Sequence, residues 1–299
     1  MKLLKLLLLL SLLFCFACQK QVAREKPLLL VSIHPYELLL TQLAGSDFEI
    51  NTIIPANASP HTWSPNPSTL EDILDASLIL SNGLGLETNL QKSFAARANA
   101  HVEAAELISD AIPAMDKDAE HEGEGHQHEG IDPHLWTSPR LMIRLVTALE
   151  KELIERFPNS TLVFNNNANT IRKELEAAAE QIKSERKKYL DPGLITYHNS
   201  FSYFCQEFGI QYLGWVQFSP GKEPSPKDLT KLGDTIKEHQ VTAVFIEPQM
   251  DKKAGEVLAK EFKLKLLTLD PLGSDMKAKT ISELILANWE SMKGAFTDK

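Results

Sequence analysis

The chain has 299 residues with 31 Lys and Arg against 40 Asp and Glu, a formal net charge of −9. That balance argues against non-specific binding to nucleic acid, which needs a basic face. Apolar residues make up 43% and charged residues 24%, as in folded soluble proteins, and the length suggests two domains of roughly 130–150 residues each.

Residues 1–17 read as a lipoprotein signal peptide: Lys2 and Lys5 form a positive start, and Leu6 to Phe16 an apolar run too short to span a bilayer. Cys15-Phe16-Ala17-Cys18 resembles a bacterial lipobox, which implies lipid attachment at Cys18. An ordinary secretory signal cut nearby is the alternative. Only Cys205 would then remain as a free thiol in the exported chain, which excludes an intramolecular disulfide and a cysteine-based zinc site. Residues 18–26 are polar and read as a tether.

An N-terminal α/β lobe is expected over 27–158. Pro27 to Ile33 reads as a buried strand, and Pro35 begins a helix that stops at Gly45. Asp47–Ile54 reads as a second strand. Ser68 and Glu71 have the spacing of a capping box ahead of Ile73 and Leu74. Leu78–Leu80 and Leu86–Ala98 read as a strand and a helix. Another helix is expected from about Ser138-Pro139. Residues 116–130, with three Gly, three His and six acids, read as a mobile loop.

Residues 159–190 read as a linking helix. Ile171, Leu175, Ala178 and Ile182 recur every three or four positions, and Asp191-Pro192-Gly193 stops the helix. Its length of about 45 Å suffices to cross between domains. A C-terminal lobe over 191–299 resumes the alternation. Its strands are Leu194–Tyr197, Ile210–Val216, Val241–Ile246 and Leu264–Leu269. Its helices are Phe201–Phe208, Pro226–His239, Lys252–Phe262 and a last one bearing Ile281, Leu284, Ile285 and Trp289 on one face. The fold class is therefore α/β: two parallel-sheet lobes and one long helix. No internal sequence repeat argues for duplication.

In open α/β sheets ligands bind outside the carboxyl ends of strands, a rule that His198 and Asp270 fit directly and that extends to the loops of His61 and His134 only as an expectation. His198 and Asp270 each close a predicted strand. His61 and His134 lie in Pro-rich loops ahead of helices. Two belong to each lobe, so a site would fall in the cleft between them. Three His and one Asp satisfy tetrahedral zinc without cysteine, at bond lengths of about 2.0–2.2 Å. Taken one by one, each histidine reads more readily as a surface or loop residue held by local hydrogen bonds, and spacing alone does not overturn that reading. Glu247, after Val241–Ile246, reads either as a partner that orients a ligand histidine or as a surface carboxylate. His34 is expected to make a backbone hydrogen bond, and His101 and His239 to lie at the surface.

The sequence resembles the zinc/manganese solute-binding lipoproteins of ABC transporters, the TroA-like class. The resemblance rests on SPHTWSPNPSTLEDILDASLILSNGLGLE from Ser59, DPHLWTSP from Asp132, HNSFSYFCQEFGI from His198, EPSPKDL from Glu223, VFIEPQ from Val244 and TLDPLG from Thr268. It implies two lobes joined by a rigid helix, with metal clamped between them by His61, His134, His198 and Asp270. Manganese and iron members are similar but place Glu at the third position, so His198 points to the zinc branch. Trp63 and Ser64 depart from the Tyr and Glu of many relatives. In zinc members a His/acid loop also lies between the first two ligand motifs. Here His121, His126 and His128 are expected to hold zinc weakly, with a solvated acidic loop as the alternative.

The function implied is capture of Zn²⁺ and delivery to an ABC permease. The energy would come from a partner ATPase, in the periplasm or at the outer face of the cell membrane. A manganese- or iron-binding member of the same family is one alternative. A zinc-dependent hydrolase, with Glu247 as base, is another. The chain has no H-E-x-x-H, G-x-S-x-G or G-x-x-x-x-G-K-[ST] segment to support an enzyme or the ATPase itself.

Overall fold

The computed structural model describes residues 24–113, 131–217 and 224–299. Cys18, the His121, His126 and His128 segment and Glu223 lie outside the described residues.

Two four-stranded parallel sheets form the two lobes. The first contains β1 (Leu28–Val31), β2 (Glu49–Thr52), β3 (Leu78–Ser81) and β4 (His101–Glu103), in the order β2-β1-β3-β4. After a two-residue strand β5 (Tyr189–Leu190), the second contains β6 (Leu194–Thr196), β7 (Tyr212–Trp215), β8 (Ala243–Ile246) and β9 (Lys265–Thr268), in the order β7-β6-β8-β9. Chain order maps onto sheet order identically in both lobes, although the sequence carries no visible repeat. β5 pairs antiparallel with β10 (Thr297–Asp298).

The central strands of each sheet are apolar and covered on both faces, whereas edge strands β2, β4 and β9 are partly exposed. All four residues of β1, β3 and β8 are buried. Alternation within β8 divides the core. Ala243 and Phe245 join a large cluster that also contains Leu29, Tyr36, Leu80, Phe164, Phe201 and Trp289. Val244 and Ile246 face a smaller cluster with Ile195, Val216 and Leu258. The large cluster thus runs through both lobes.

Helix α1 (His34–Ala44) carries Pro35 in its first turn, buries Leu39, Leu40 and Leu43, and ends at Gly45, whose φ of +71° suits a residue without a side chain. Helix α2 (Pro67–Asp75) corrects the expected capping box. Asn66 is the cap, its side chain accepting from Thr69 N, and Pro67 takes the first helical position, which puts Ser68 inside the helix. The expected helix 86–98 is broken into a tight turn at Thr88–Leu90 and a short α3 (Gln91–Ala95). His101 does not lie free at the surface. It starts β4, pairs with Ser81 Oγ at 2.7 Å and stacks on Phe94. The remaining helix of this stretch is α4 (Ala104–Leu107).

Two long helices follow, α5 (Pro139–Arg156) and α6 (Thr161–Arg186). Ser138 caps α5, its side chain accepting from Leu141 N. The 26 residues of α6 extend about 39 Å. It packs on α5 and α1, and on α7 (Ser202–Phe208) and α10 (Ile281–Lys293) beyond. Near its end Glu185 accepts from Trp289 Nε1 and Lys293 Nζ of α10, both at 2.9 Å. α8 (Pro226–His239) and α9 (Lys253–Phe262) complete the second lobe.

Candidate metal centre

The loops at the carboxyl ends of the strands bring three imidazoles together. His61 follows β2, His134 precedes α5, and His198 follows β6. One ring nitrogen of each lies within 4.8 Å of the others. His134 Nε2 and His198 Nε2 are 3.1 Å apart. His134 and His198 are 4% and 5% exposed, and His61 is partly buried.

Each buried ring is aimed by a carboxylate behind it. Asp132 Oδ1 lies 2.6 Å from His134 Nδ1 and also accepts from His134 N. Glu247 Oε1 lies 2.6 Å from His198 Nδ1 and accepts from Ser200 Oγ at 2.9 Å. A carboxylate at Nδ1 holds the proton there and leaves Nε2 with a free lone pair, as a metal ligand requires. Glu247, 2% exposed, is a buried partner of His198 and not a surface carboxylate. Sequence reasoning misses Asp132, although Asp-Pro-His is the spacing that lets a carboxylate fold back on the ring. Desolvation opposes its charge, but the neighbouring His134 and donated hydrogen bonds win and hold its carboxyl below the usual range.

His61 has no such carboxylate. Its Nε2 is buried and has no hydrogen-bond partner among the described residues. Burial, and then the proximity of His134 and His198, push its pKa down to about 2. A neutral ring with an unclaimed nitrogen facing two others costs the fold a buried polar group and suits a cation.

Asp270 stands outside this group. It is 1% exposed and both its oxygens are occupied. Oδ1 accepts from Gln249 Nε2 at 2.7 Å, Gly273 N at 2.9 Å and Leu272 N at 3.2 Å. Oδ2 accepts from Asp275 N at 2.9 Å and Ser274 Oγ at 3.1 Å. Gly273, with φ of +74°, allows the loop to wrap its own carboxylate. Asn288 of α10 clamps the Asp270 backbone from both sides, donating to its carbonyl and accepting from its N–H.

The walls of the site are fixed across the lobes. Tyr203 OH donates to Asp132 O at 2.8 Å, Ser202 Oγ donates to Asp132 Oδ2, and Ser138 Oγ donates to Glu207. Trp136 Nε1 donates to Pro271 O at 2.7 Å, joining the segment of His134 to that of Asp270. A small, partly open space between the lobes is lined by residues that include His61, His134, His198, Glu247, Gln249 and Leu272. His34 lies apart, its Nδ1 paired with the side chain of Glu37 at 2.8 Å and not with backbone. His239 ends α8.

Two parallel-sheet lobes, a long helix across them and a histidine cluster in the cleft define a two-lobed metal-binding protein. The family profile described as zinc-uptake complex component A, periplasmic, matches residues 29–295, and the chain belongs to that family. A putative metal-binding protein of Thermotoga maritima is 31% identical over 261 residues, covering 87% of this chain and 89% of the relative. The high-affinity zinc uptake system protein ZnuA of Bacillus subtilis is 25% identical over 291 residues, covering 92% and 89%. A crystal structure of ZnuA superposes with a TM-score of 0.78 at 28% identity, covering 90% of this chain and 99% of that one.

Proposed function

We propose that this protein is an extracytoplasmic carrier that captures Zn²⁺ and delivers it to an ABC permease driven by a partner ATPase. His61, His134 and His198 are the proposed ligands, with Asp270 as the fourth. The observation that carries this reading is the convergence of three imidazole nitrogens from three loops, two of them with carboxylates behind. Nitrogen donors suit zinc better than manganese, which favours carboxylate and water. Glu247, the base a hydrolase would need, is committed to His198 and Ser200. The relatives named above as zinc-uptake proteins support the same cargo.

Lipidation at Cys18 would hold the carrier at the membrane. His121, His126 and His128 are proposed as a weak auxiliary zinc segment. Deleting 117–130 should leave one tight site and lower the total zinc bound.

Competitive titration of the metal-free chain starting at Gln19 with zinc and manganese tests the main reading. One tight zinc site that manganese cannot displace, lost on substituting His61, His134 or His198 by Ala, is expected. Preference for manganese, or unchanged zinc affinity in all three variants, overturns it.

A further inference from the structure

We infer that Gln249 is a positioning residue that governs whether Asp270 reaches the metal, an inference that rests on the zinc-site reading above. The Gln249 side chain, just beyond β8, has its amide nitrogen at the centre of three acceptors. They are Asp270 Oδ1 at 2.7 Å, Ser274 Oγ at 3.2 Å and, across the cleft, Ala56 O at 3.1 Å. Ala56 belongs to the loop that leads from β2 to His61. One amide therefore ties the Asp270 carboxylate to the loop of the His61 ligand.

A carboxylate offers about four lone-pair positions. Asp270 already accepts from five donors, so a metal can be bound through it only if a donor withdraws. Four of the five belong to residues 272–275, which wrap the carboxylate as a local turn. The Gln249 amide is the one that arrives from another element. That amide group is also incompletely satisfied where it sits, on the oxygen side. A primary amide has two N–H groups to share among three acceptors, and Gln249 Oε1 is buried without a partner among the described residues. Gln249 lines the same space as the three histidines. Withdrawal of its amide removes the shortest hydrogen bond on Oδ1 of Asp270, leaving there Gly273 N at 2.9 Å and the more weakly held Leu272 N at 3.2 Å, and in the same movement releases the His61 loop from Ala56 O. Ligation by Asp270 and the Gln249 tie to the His61 loop are then alternatives.

A double-mutant cycle on the full exported chain tests this. Zinc affinity is measured by competition for the wild type, Gln249→Met, Asp270→Asn and the double variant, with thermal melts to confirm folding. Gln249→Met keeps the length and removes the amide. The expected result is that Gln249→Met changes zinc affinity more favourably in the wild-type background than in the Asp270→Asn background, by about tenfold, roughly one hydrogen bond to a charged acceptor. The Co²⁺-substituted protein should show the same split, with a ligand-field spectrum altered by Asp270→Asn. Equal effects of Gln249→Met in both backgrounds, or a cobalt spectrum indifferent to Asp270→Asn, overturn the inference. His198→Ala, run in parallel, separates the two claims. If it abolishes tight zinc binding while the cycle shows no coupling, only the role of Gln249 fails. If it and the His61→Ala and His134→Ala variants all leave binding intact, the zinc-site reading fails.

Discussion

His198 and Glu247 form a buried pair, Nδ1 to Oε1 at 2.6 Å, and the other nitrogen of the same ring faces His134 Nε2 at 3.1 Å. β6 and β8 are neighbours in the sheet, so their carboxyl ends deliver the ring and its carboxylate to one place. Replacing Glu247 by Gln should weaken zinc binding by about 10–100-fold, because the ring loses the partner that fixes its tautomer. The fold should persist, which a thermal melt of the metal-free variant checks.

Asp132 does more than aim His134. Its carboxylate also takes the Ser202 hydroxyl, and its carbonyl takes Tyr203 OH. Asp132→Ala should therefore cost zinc affinity and stability together. The stability loss should be about 1–3 kcal/mol for each buried donor left without its acceptor. Urea denaturation of the metal-free protein measures it. A loss confined to metal binding would refute the structural half of the assignment.

The metal-free protein should lose stability in mild acid through His61. Its pKa is near 6.5 when unfolded and is pushed down to about 2 in the fold by burial and by His134 and His198. Below pH 6.5 the unfolded chain binds a proton there that the native state does not. Stability therefore falls as pH drops from 6.5 toward 2. Between pH 6.5 and 5 the loss is up to about 2 kcal/mol from this residue. His61→Gln should flatten the stability profile over that window by the same amount. An unchanged profile would mean that His61 does not titrate as its surroundings dictate.

Trp136 joins the His134 segment to Pro271 through one hydrogen bond of 2.7 Å. Trp136→Phe keeps most of the ring and removes the donor. The expected stability loss is about 1–3 kcal/mol, the cost of leaving a buried carbonyl unsatisfied plus some lost packing. Zinc stoichiometry should stay at one tight ion. Calorimetry with and without zinc reads both.

Much of the fold was legible because parallel strands covered on both faces read as short apolar runs, and helices between them carry clear stops. Pro226–His239 has the observed bounds, set by Pro226 at one end and a turn at Gln240 at the other. The errors fell where local signals compete. Asn66 and Ser68 both resemble caps, and only the position of Pro67 decides between them. β4 is three residues long, too short for alternation to show. In the site, the three histidines that the structure brings together stand out in the sequence through the resemblance of their motifs, and of them only His198 closes a predicted strand. Their separation in sequence, from 61 to 198, conceals that they meet. Asp132 and Gln249 were hidden for other reasons. Gln249 makes its contacts across loops and lobes, which no spacing encodes, and Asp132 looks like part of the loop motif although its Asp-Pro-His spacing allows the contact with His134. Asp270 closes a strand as expected, but its five hydrogen bonds follow from loop curvature at Gly273, which a sequence does not display.

The large apolar cluster that runs from Leu29 through Phe164 to Phe245 and Trp289 bears on how the molecule can be taken apart. Neither half owns a complete interior. A cut at either end of α6 leaves that helix on one fragment and exposes on each fragment the surface that its counterpart covers. Such fragments should be insoluble alone and should regain structure only when supplied together.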